Sequence, residues 1–283
     1  GFATPERTLV FDINDFDETL PAPWEWDIKR LAASFVIAAR WRGFKADQAR
    51  EIAVQAVSSY RQSMRKRAGT HVLEAWYSRT TMNDLLALVG KDAELVGRVK
   101  QKISEAGKRT AEHVFNKITA PAKGLPRIVD QPPLLFHFKD PHANERTFAA
   151  FFKRYRETLP DERRILFDRF KFVDMAMKVV GVGSVGTRCL VALFLAAPDD
   201  ALFLQLKEAR RSVLEPYTRQ HVAHNGQRVV IGQRLMQSAS DIFLGWSRGP
   251  TGRDFYVRQL RDMKVAPSIE TTTPRVMRLL ATF

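Results

Sequence analysis

An acidic segment near the beginning of the sequence has the residue types and spacing that suit metal chemistry. Four of the seven side chains in residues 12–18 are carboxylates: Asp12, Asp15, Asp17 and Glu18. Carboxylate oxygens on a turn after a strand are suited to hold Mg²⁺, a hard cation that prefers oxygen ligands. The alternative is a turn in which Asp12 or Asn14 hydrogen-bonds nearby backbone. The pattern alone leaves both interpretations open.

A glycine-rich motif, G-x-G-x-x-G, forms the second candidate site. It follows a short apolar pair and consists of Gly181, Gly183, Ser184 and Gly186 with two intervening valines. Glycines allow backbone N–H groups to approach phosphate oxygens closely. The motif is also compatible with a tight turn that binds no ligand.

Two functional interpretations of this motif differ in the structure expected for the residues after it. In a dinucleotide-binding unit, residues 187–197 would be a helix facing the pyrophosphate, and Glu208 would bind the ribose. In a kinase-like lobe, residues 187–195 would be the return strand of a glycine-rich hairpin. Lys207 would then end the third strand, where it could reach the phosphates.

The acidic segment favours the kinase-like interpretation. Residues 15–17, Asp-Phe-Asp, resemble the metal-binding Asp-Phe-Gly element of kinases. The stretch PWEWDIKRL, residues 23–31, resembles the P-x-x-x-D-L-x-x-L run of aminoglycoside-phosphotransferase-like kinases. Asp27 stands 12 residues after Asp15, a spacing that also suits that family.

Longer motifs resemble a bacterial family labelled "domain of unknown function 2252". They are FDINDFDETLPAPWEWDIKRLAAS, VVGVGSVGTRCLVALF, LFLQLKEARRSVLEPY, GQRLMQSASDIFLGW and GRDFYVRQLRDMK, and the resemblance covers about residues 1–264. Members of that family carry a G-D-x-H-x-x-N-F-G segment, like a phosphotransferase catalytic loop, just upstream of the FDINDFDE run. The resemblance therefore implies that the chain is a fragment starting after that segment, without the catalytic Asp and the metal-binding Asn.

The resemblance implies ATP and Mg²⁺ as cofactors, and an acceptor that is an unidentified small molecule or protein. Lys207 and Asp15 would be the catalytic residues, with Asp15 and Asp17 holding Mg²⁺. The nucleotide would contact Lys207 and Gly181, Gly183, Ser184, Gly186, Gln259 and Leu260, the last two through backbone near the base. Because the acidic segment precedes the glycine motif, we expect the kinase-like parts in circularly permuted order.

One expected partner of Lys207 is missing from the sequence. The helix after a kinase lysine strand supplies a glutamate to the lysine, yet residues 227–240 contain no carboxylate. Glu208, Glu215 and Asp241 are possible substitutes. A catalytically inactive nucleotide-binding or interaction module therefore stays open as an alternative function.

Composition narrows the class of protein. The 283 residues, 45% of them hydrophobic, predict a folded chain of one or two domains. The net charge of +14 admits nucleic acid as a partner, but no nucleic-acid motif is recognisable and a phosphate-bearing ligand accounts for the same excess. One basic cluster is Arg61, Arg65, Lys66 and Arg67. The single cysteine, Cys189, excludes an internal disulfide, and short apolar runs predict no membrane span and a cytoplasmic location.

Hydrophobic spacing predicts a helical part followed by a mainly β part. The motifs and the family resemblance imply an α+β, kinase-like fold: a helical lobe followed by a smaller antiparallel β lobe with one helix. Helical spacing runs from residue 24 to 62 with a break at Gly43, and returns at 81–88, 92–115 and 145–169. Prolines in 119–142 predict a loop or linker. Strands are expected at 8–11, 179–182, 189–195, 201–206, 242–246 and 255–260, with a helix at 227–240. We expect a helical part at 1–170, a nucleotide-binding β part at 171–264 and a loosely held tail at 265–283.

Overall fold

Helices and short strands alternate along the first half of the chain. The computed structural model describes residues 1–90, 92–107, 111–122, 124–138, 144–181, 186–260 and 268–283. In chain order the helices are α1 (Glu25–Trp41), α2 (Ala46–Ala68), α3 (Val72–Tyr77), α4 (Met82–Val89), α5 (Ala93–Gly107), α6 (Ala111–Ile118), α7 (Glu145–Glu157), α8 (Asp161–Phe167), α9 (Glu215–Thr218), α10 (Asn225–Met236) and α11 (Pro274–Thr282).

The strands pair into three antiparallel sheets. They are β1 (Phe2–Ala3), β2 (Leu9–Phe11), β3 (Thr80–Thr81), β4 (Thr119–Ala122), β5 (Leu125–Ile128), β6 (Leu135–Phe136), β7 (Lys171–Lys178), β8 (Cys189–Ala197), β9 (Asp200–Ala209), β10 (Gly245–Arg248) and β11 (Asp254–Gln259). The largest sheet has the order β10-β11-β9-β8-β7-β6, and the others are β1-β2-β3 and β4-β5. The expected α+β class with antiparallel sheets is confirmed.

The helices α7 and α8 cover one face of the large sheet. Alternate residues of β8 and β9 point to this face and pack against aromatic side chains of the two helices, including Phe152 and Phe167. The Phe152 and Phe194 rings meet edge to face at 4.9 Å. Buried Tyr155 donates its hydroxyl to the Phe243 carbonyl at 2.6 Å. The core of the sheet therefore includes helices from the predicted helical part, which ends at residue 170.

The opposite face of the large sheet is apolar at both ends and polar between them. At one end Val191, Leu193 and Phe203 pack with residues from β5 and α6. At the other end Phe16 and Tyr256 pack with Val229 and Val230 of α10. The two covered faces explain why β8 is an almost uninterrupted apolar run. The polar middle of this face carries Lys207.

One strand prediction and one loop prediction need correction. The strand expected at 179–182 is instead β7, which ends at Lys178. The charged residues Lys171, Asp174 and Lys178 interrupt the apolar pattern of β7, so a search for apolar runs does not find the strand. Asp174 is tolerated within it because its buried carboxylate is hydrogen-bonded. The proline-rich stretch is also more structured than predicted. It forms the β4–β5 hairpin, in which Pro121 lies opposite Pro126.

A hydrogen-bonded cluster attaches the proline-rich stretch to the large sheet. The Asp174 carboxylate accepts hydrogen bonds from the backbone of Ile128 at 2.9 Å and from Arg127 at 3.2 Å. The His137 ring lies 2.6 Å from Asp130 and 3.2 Å from Asp174. Burial alone would lower the pKa of His137, but the two carboxylates outweigh it and raise that pKa. This cluster stabilises the edge of the sheet where β6 pairs with β7.

The α1–α2 hairpin follows the sequence prediction, and the C-terminal residues do not. Gly43 adopts φ +75 between α1 and α2, and Gly69 caps the end of α2. The residues expected to form a loose tail include α11. Its Met277 and Ala281 are buried against Ile52 and other residues of the hairpin. None of the described helices is both long and apolar enough to cross a membrane.

Candidate functional site

Lys207 lies on the polar middle of the sheet face and forms an ion pair with the acidic segment. In the sheet it stands between Cys189 of β8 and Tyr256 of β11. Its Nζ lies 2.9 Å from Asp17 Oδ2 and 5.4 Å from the centre of the Tyr256 ring. The ion pair joins residues 190 positions apart in sequence. The fold thus brings the acidic segment and the strand after the glycine motif into one site.

The acidic segment is held in place by α10. Phe16 is buried against Val229 and Val230 of that helix. The Asp12 carboxylate accepts hydrogen bonds from the backbone N–H and hydroxyl of Ser238 at 2.8 and 2.7 Å. Gly232 allows the close approach, because a Cβ at this position would overlap the Thr19 side chain.

Arg228 of α10 links the segment to the end of β9. Its guanidinium donates to the Thr19 and Asp17 carbonyls at 2.6 and 2.8 Å, and to the Arg210 carbonyl at 2.9 Å. Burial of the guanidinium lowers the pKa of Arg228. These carbonyl contacts hold the backbone of the segment at Asp17, whose carboxylate faces Lys207.

The electrostatics of the site keep Asp17 and Lys207 charged. Burial favours a neutral Asp17, but the hydrogen bond and charge of Lys207 outweigh it and hold the pKa of the carboxyl below its ordinary value. Burial likewise opposes the ammonium form of Lys207, yet Tyr256 and Asp17 together raise its pKa. Burial raises the pKa of Tyr256 to about 12. The phenol is therefore neutral at physiological pH, and the carboxylate of Asp17 supplies the negative charge beside Lys207.

One oxygen of Asp17 is left without a partner. Oδ1 is buried, and no other described residue donates a hydrogen bond to it. A buried acceptor without a partner costs about 1–3 kcal/mol, so the site is suited to receive a cation or a donor at this atom. The Asp17 side chain is 39% exposed as a whole, although Oδ1 itself is buried.

Further polar side chains extend the site across the sheet. Arg258 donates to Gln205 at 3.0 Å, and Gln205 donates to the Cys189 thiol at 3.3 Å. Burial raises the pKa of the Cys189 thiol and lowers the pKa of Lys178, the last residue of β7. In this polar part of the sheet, Lys178, Lys207 and Arg258 outnumber the carboxylate of Asp17. The excess of positive charge favours an anionic ligand.

Two residues of the glycine motif are described, Gly181 after β7 and Gly186 before β8. Gly181 is exposed just after β7, and Gly186 adopts φ +80, the left-handed conformation that glycine tolerates. The Gly186 carbonyl accepts a hydrogen bond from Arg210. Gly183 and Ser184 lie outside the described residues.

Asp15 lies outside the ion pair, and the two residues expected near the base, Gln259 and Leu260, use their backbone amides within the protein. Asp15 is exposed with φ +75, and none of the residues that the structure describes pairs with its carboxylate. The Gln259 N–H donates to Asp241, and the Leu260 N–H donates to the Phe203 carbonyl at 2.9 Å. Both amide donors are therefore already used within the protein.

The three substitute carboxylates are engaged elsewhere. Asp241 accepts from Gln259, Glu215 pairs with Arg211, and Glu208 accepts from the backbone of Arg188 at 3.1 Å. Lys207 takes its carboxylate from the acidic segment instead. Sequence analysis missed Arg228, Tyr256 and Arg258. The available signal was the position of Tyr256 and Arg258, since polar and apolar residues that alternate along β11 indicate a strand with one polar face.

A divalent cation would find few protein ligands here. The described part of the chain has no group of three or more His, Cys, Asp or Glu side chains placed to hold a metal. Mg²⁺ commonly takes only one or two carboxylates and completes its shell with water and substrate phosphates. Of the two predicted metal ligands, only Asp17 lies at the ion pair, and it offers one carboxylate to a site of that kind.

Fold and site together define an α+β protein in which an acidic segment and a sheet lysine form a charged, half-buried site. The chain belongs to the bacterial family of the domain of unknown function 2252, described as an uncharacterized protein conserved in bacteria, whose model matches residues 1–283. No curated protein matches the chain, and neither does any solved structure.

Proposed function

We propose that this chain binds ATP with Mg²⁺ on the polar face of the large sheet, as part of a kinase-like phosphotransferase. A phosphotransferase of this kind moves the γ-phosphoryl group of ATP to an acceptor and releases ADP. The observation that carries the proposal is the 2.9 Å ion pair between Lys207 and Asp17. It joins the sheet lysine to the third residue of the Asp-Phe-Asp element, two positions after Asp15, the residue that resembles the metal-binding Asp of kinases.

The order of elements in the sheet supports the proposal. A hairpin of β7 and β8 carries the glycine motif, and the next strand, β9, carries Lys207. Helix α10 and then β10 and β11 come after it. This succession is the one expected for the small lobe of a kinase, with the lysine on the third strand. In this proposal the acidic segment comes earlier in the chain than the lobe, so the order is circularly permuted.

Charges in the site suit a triphosphate bound with a cation. Lys207, Arg258 and Lys178 contribute positive charge, and the pKa of Asp17 is lowered, which keeps it anionic. In the proposed complex Asp15 and Asp17 hold Mg²⁺, and Lys207 pairs with a phosphate oxygen. We expect Gly181 and Gly186, next to the ends of β7 and β8, to contact the phosphates through their backbone N–H groups.

A catalytically inactive nucleotide-binding module is the second candidate function. It is favoured by the lack of a carboxylate on α10, because an active kinase uses a glutamate there to position the lysine. A dinucleotide-binding enzyme has less support. It requires a helix at residues 187–197, and the structure has strand β8 there, antiparallel to β7.

A thermal-shift panel tests the proposal. We expect ATP with Mg²⁺ to raise the melting temperature of the wild-type chain, since a ligand that binds only the folded state stabilises it. ATP with EDTA should raise it less, and NAD should have no effect. Asp17→Asn should abolish the Mg²⁺-dependent part, whereas Asp161→Asn, at an exposed position of α8, should retain it. A shift with NAD alone, or an unaltered Mg²⁺ effect in Asp17→Asn, would contradict the proposal.

A further inference from the structure

A polar cavity lies at the other end of the acidic segment from Lys207. Its volume is about 440 Å³, and it is bounded by the end of α10, by Asp12, and by residues at the end of α2 and around α3. A second cavity of about 300 Å³ shares Arg67 and Ser78 with it and extends to Lys66. Small-molecule sites typically have volumes of about 300–1,000 Å³, so this double cavity is large enough for one small ligand.

Two arginines of the cavity keep an unneutralised positive charge. Arg67 donates to the Ser78 hydroxyl at 2.9 Å, and Arg234 donates to the Leu244 carbonyl at 2.6 Å. No carboxylate in the described ranges forms an ion pair with either guanidinium. Each guanidinium has five N–H donors in a fork that matches phosphate oxygens. Most of these donors remain for a ligand.

The only acidic side chain that lines the 440 Å³ cavity within the described residues is already satisfied. Asp12 accepts hydrogen bonds from Ser238 and from the backbone of Ile13. It therefore fixes the wall of the 440 Å³ cavity, and its one negative charge leaves the two arginines in excess there. The 300 Å³ cavity is lined by Lys66 and by the carboxylate Glu74. Arg67 also belongs to the basic cluster at the end of α2, where the helix dipole favours positive charge.

An aromatic ring and several hydroxyls complete the lining. The Trp76 side chain is 65% exposed and faces the cavity edge. Ser78, Ser238 and Ser240 add hydroxyl groups. An exposed indole offers a flat apolar surface to a ring. The Ser238 hydroxyl already donates to Asp12 and can still accept from a sugar hydroxyl, and the Ser78 hydroxyl, which accepts from Arg67, can still donate to one.

We propose that this cavity binds a phosphorylated sugar, a phosphate monoester on a hydroxylated ring. Arg67 and Arg234 bind the phosphate, Trp76 packs against the ring, and the serines contact its hydroxyls. The inference stands on the cavity alone and does not require ATP binding at Lys207.

Calorimetric titration of the full chain with glucose 6-phosphate, glucose and inorganic phosphate tests the assignment. We expect glucose 6-phosphate to bind, and glucose to bind at least about tenfold more weakly, since it lacks the charge-assisted contacts. Arg67→Gln should weaken binding of both phosphate compounds, and Arg234→Lys should weaken both less. Trp76→Ala should weaken only the sugar phosphate. Arg67 and Trp76 are exposed, so these variants should fold.

Two controls separate the site from general electrostatic attraction and from the ATP site. Arg50→Gln removes an exposed arginine of the same helix, outside the cavity, and should leave affinity unchanged, as should Lys207→Ala. Equal weakening by Arg50→Gln and Arg67→Gln would overturn the proposal, because it would indicate nonspecific charge. AMP titrated into the Lys207→Ala variant should bind more weakly than glucose 6-phosphate. Tighter AMP binding that Arg67→Gln also weakens would overturn the proposal, since the ligand class would then be a nucleotide.

Discussion

Asp17 and Lys207 hold each other in the charged state, and this coupling has a pH dependence. The pKa of Asp17 is lowered in the folded chain. Its ionisation therefore contributes stability above its unfolded pKa, about 3.9. That contribution is lost as the pH falls through the lower folded value. The pair is thus intact at neutral pH, and a ligand that takes over Lys207 meets a carboxylate ready for a cation.

We expect the backbone conformation of Asp15 to lower the stability of the fold, and its carboxylate to contribute to metal binding. Its φ of +75 is unfavourable for a residue with a Cβ, and strain of this kind often accompanies function. We expect Asp15→Gly to raise the free energy of unfolding by about 1 kcal/mol, because glycine adopts this conformation without steric cost. The same change should remove the Mg²⁺ dependence of ATP binding. Urea denaturation and ATP titration with and without Mg²⁺ measure the two effects.

Arg219→Gly is the matched control for Asp15. Arg219 has φ +54 at the end of α9 and is exposed. This variant should gain similar stability with unchanged ATP binding. If Asp15→Gly retained the full Mg²⁺ effect, Asp15 would not be a metal ligand.

At the scale of elements, the packing of the acidic segment against α10 decides the site geometry. Alanine usually stabilises a helix interior relative to glycine by about 1 kcal/mol. At position 232 we expect the opposite sign, because the added Cβ would displace Thr19 and the segment that carries Asp17. Gly232→Ala should therefore lower both the melting temperature and the affinity for ATP with Mg²⁺.

Gly97→Ala on α5 provides the comparison for Gly232→Ala. A Cβ at position 97 meets no atom of the described residues within 4 Å, so this variant should be neutral or slightly stabilising and should bind ATP normally. Stabilisation by Gly232→Ala with unchanged affinity would show that the segment does not depend on this contact.

The attachment of the proline-rich stretch should depend on pH through His137. Its folded pKa is raised. The stabilising contribution is thus fully present below the unfolded pKa, about 6.5, and is lost as the pH rises through the folded value. Relative to His137→Gln, the wild type should be more stable at about pH 6 than at about pH 8.5 by urea denaturation. Exposed His71→Gln should show no such change, and a pH-independent difference for His137→Gln would contradict the ion-pair role.

Elements with regular apolar spacing could be predicted from the sequence, whereas elements stabilised by long-range polar contacts could not. The break at Gly43 and strands β8 and β9 were predicted close to their observed places. Strand β7 was not, because buried Asp174 depends on partners 46 and 47 residues away. Helix α11 was not predicted because its apolar face is short and is buried only through contact with the α1–α2 hairpin.

For the whole molecule, the central feature is the meeting of distant segments at one charged face. The residue types of the candidate site, an acidic segment and a lysine after a glycine motif, could be predicted from the sequence. Their pairing could not be predicted, since 190 residues separate Asp17 from Lys207. Nor could the roles of Tyr256 and Arg258, which depend on β11 lying beside β9.

Calorimetric affinity of ATP with Mg²⁺ for the wild type, Lys207→Ala and Lys153→Ala tests the central claim most directly. Both variants remove one positive charge from a chain of net charge +14, so long-range attraction changes equally. Lys153 is exposed on α7. At an ionic strength of about 0.15 M, we predict that Lys207→Ala raises the Kd about tenfold or more, with Lys153→Ala close to wild type. Equal affinity in all three proteins would contradict the claim that Lys207 binds the nucleotide phosphates.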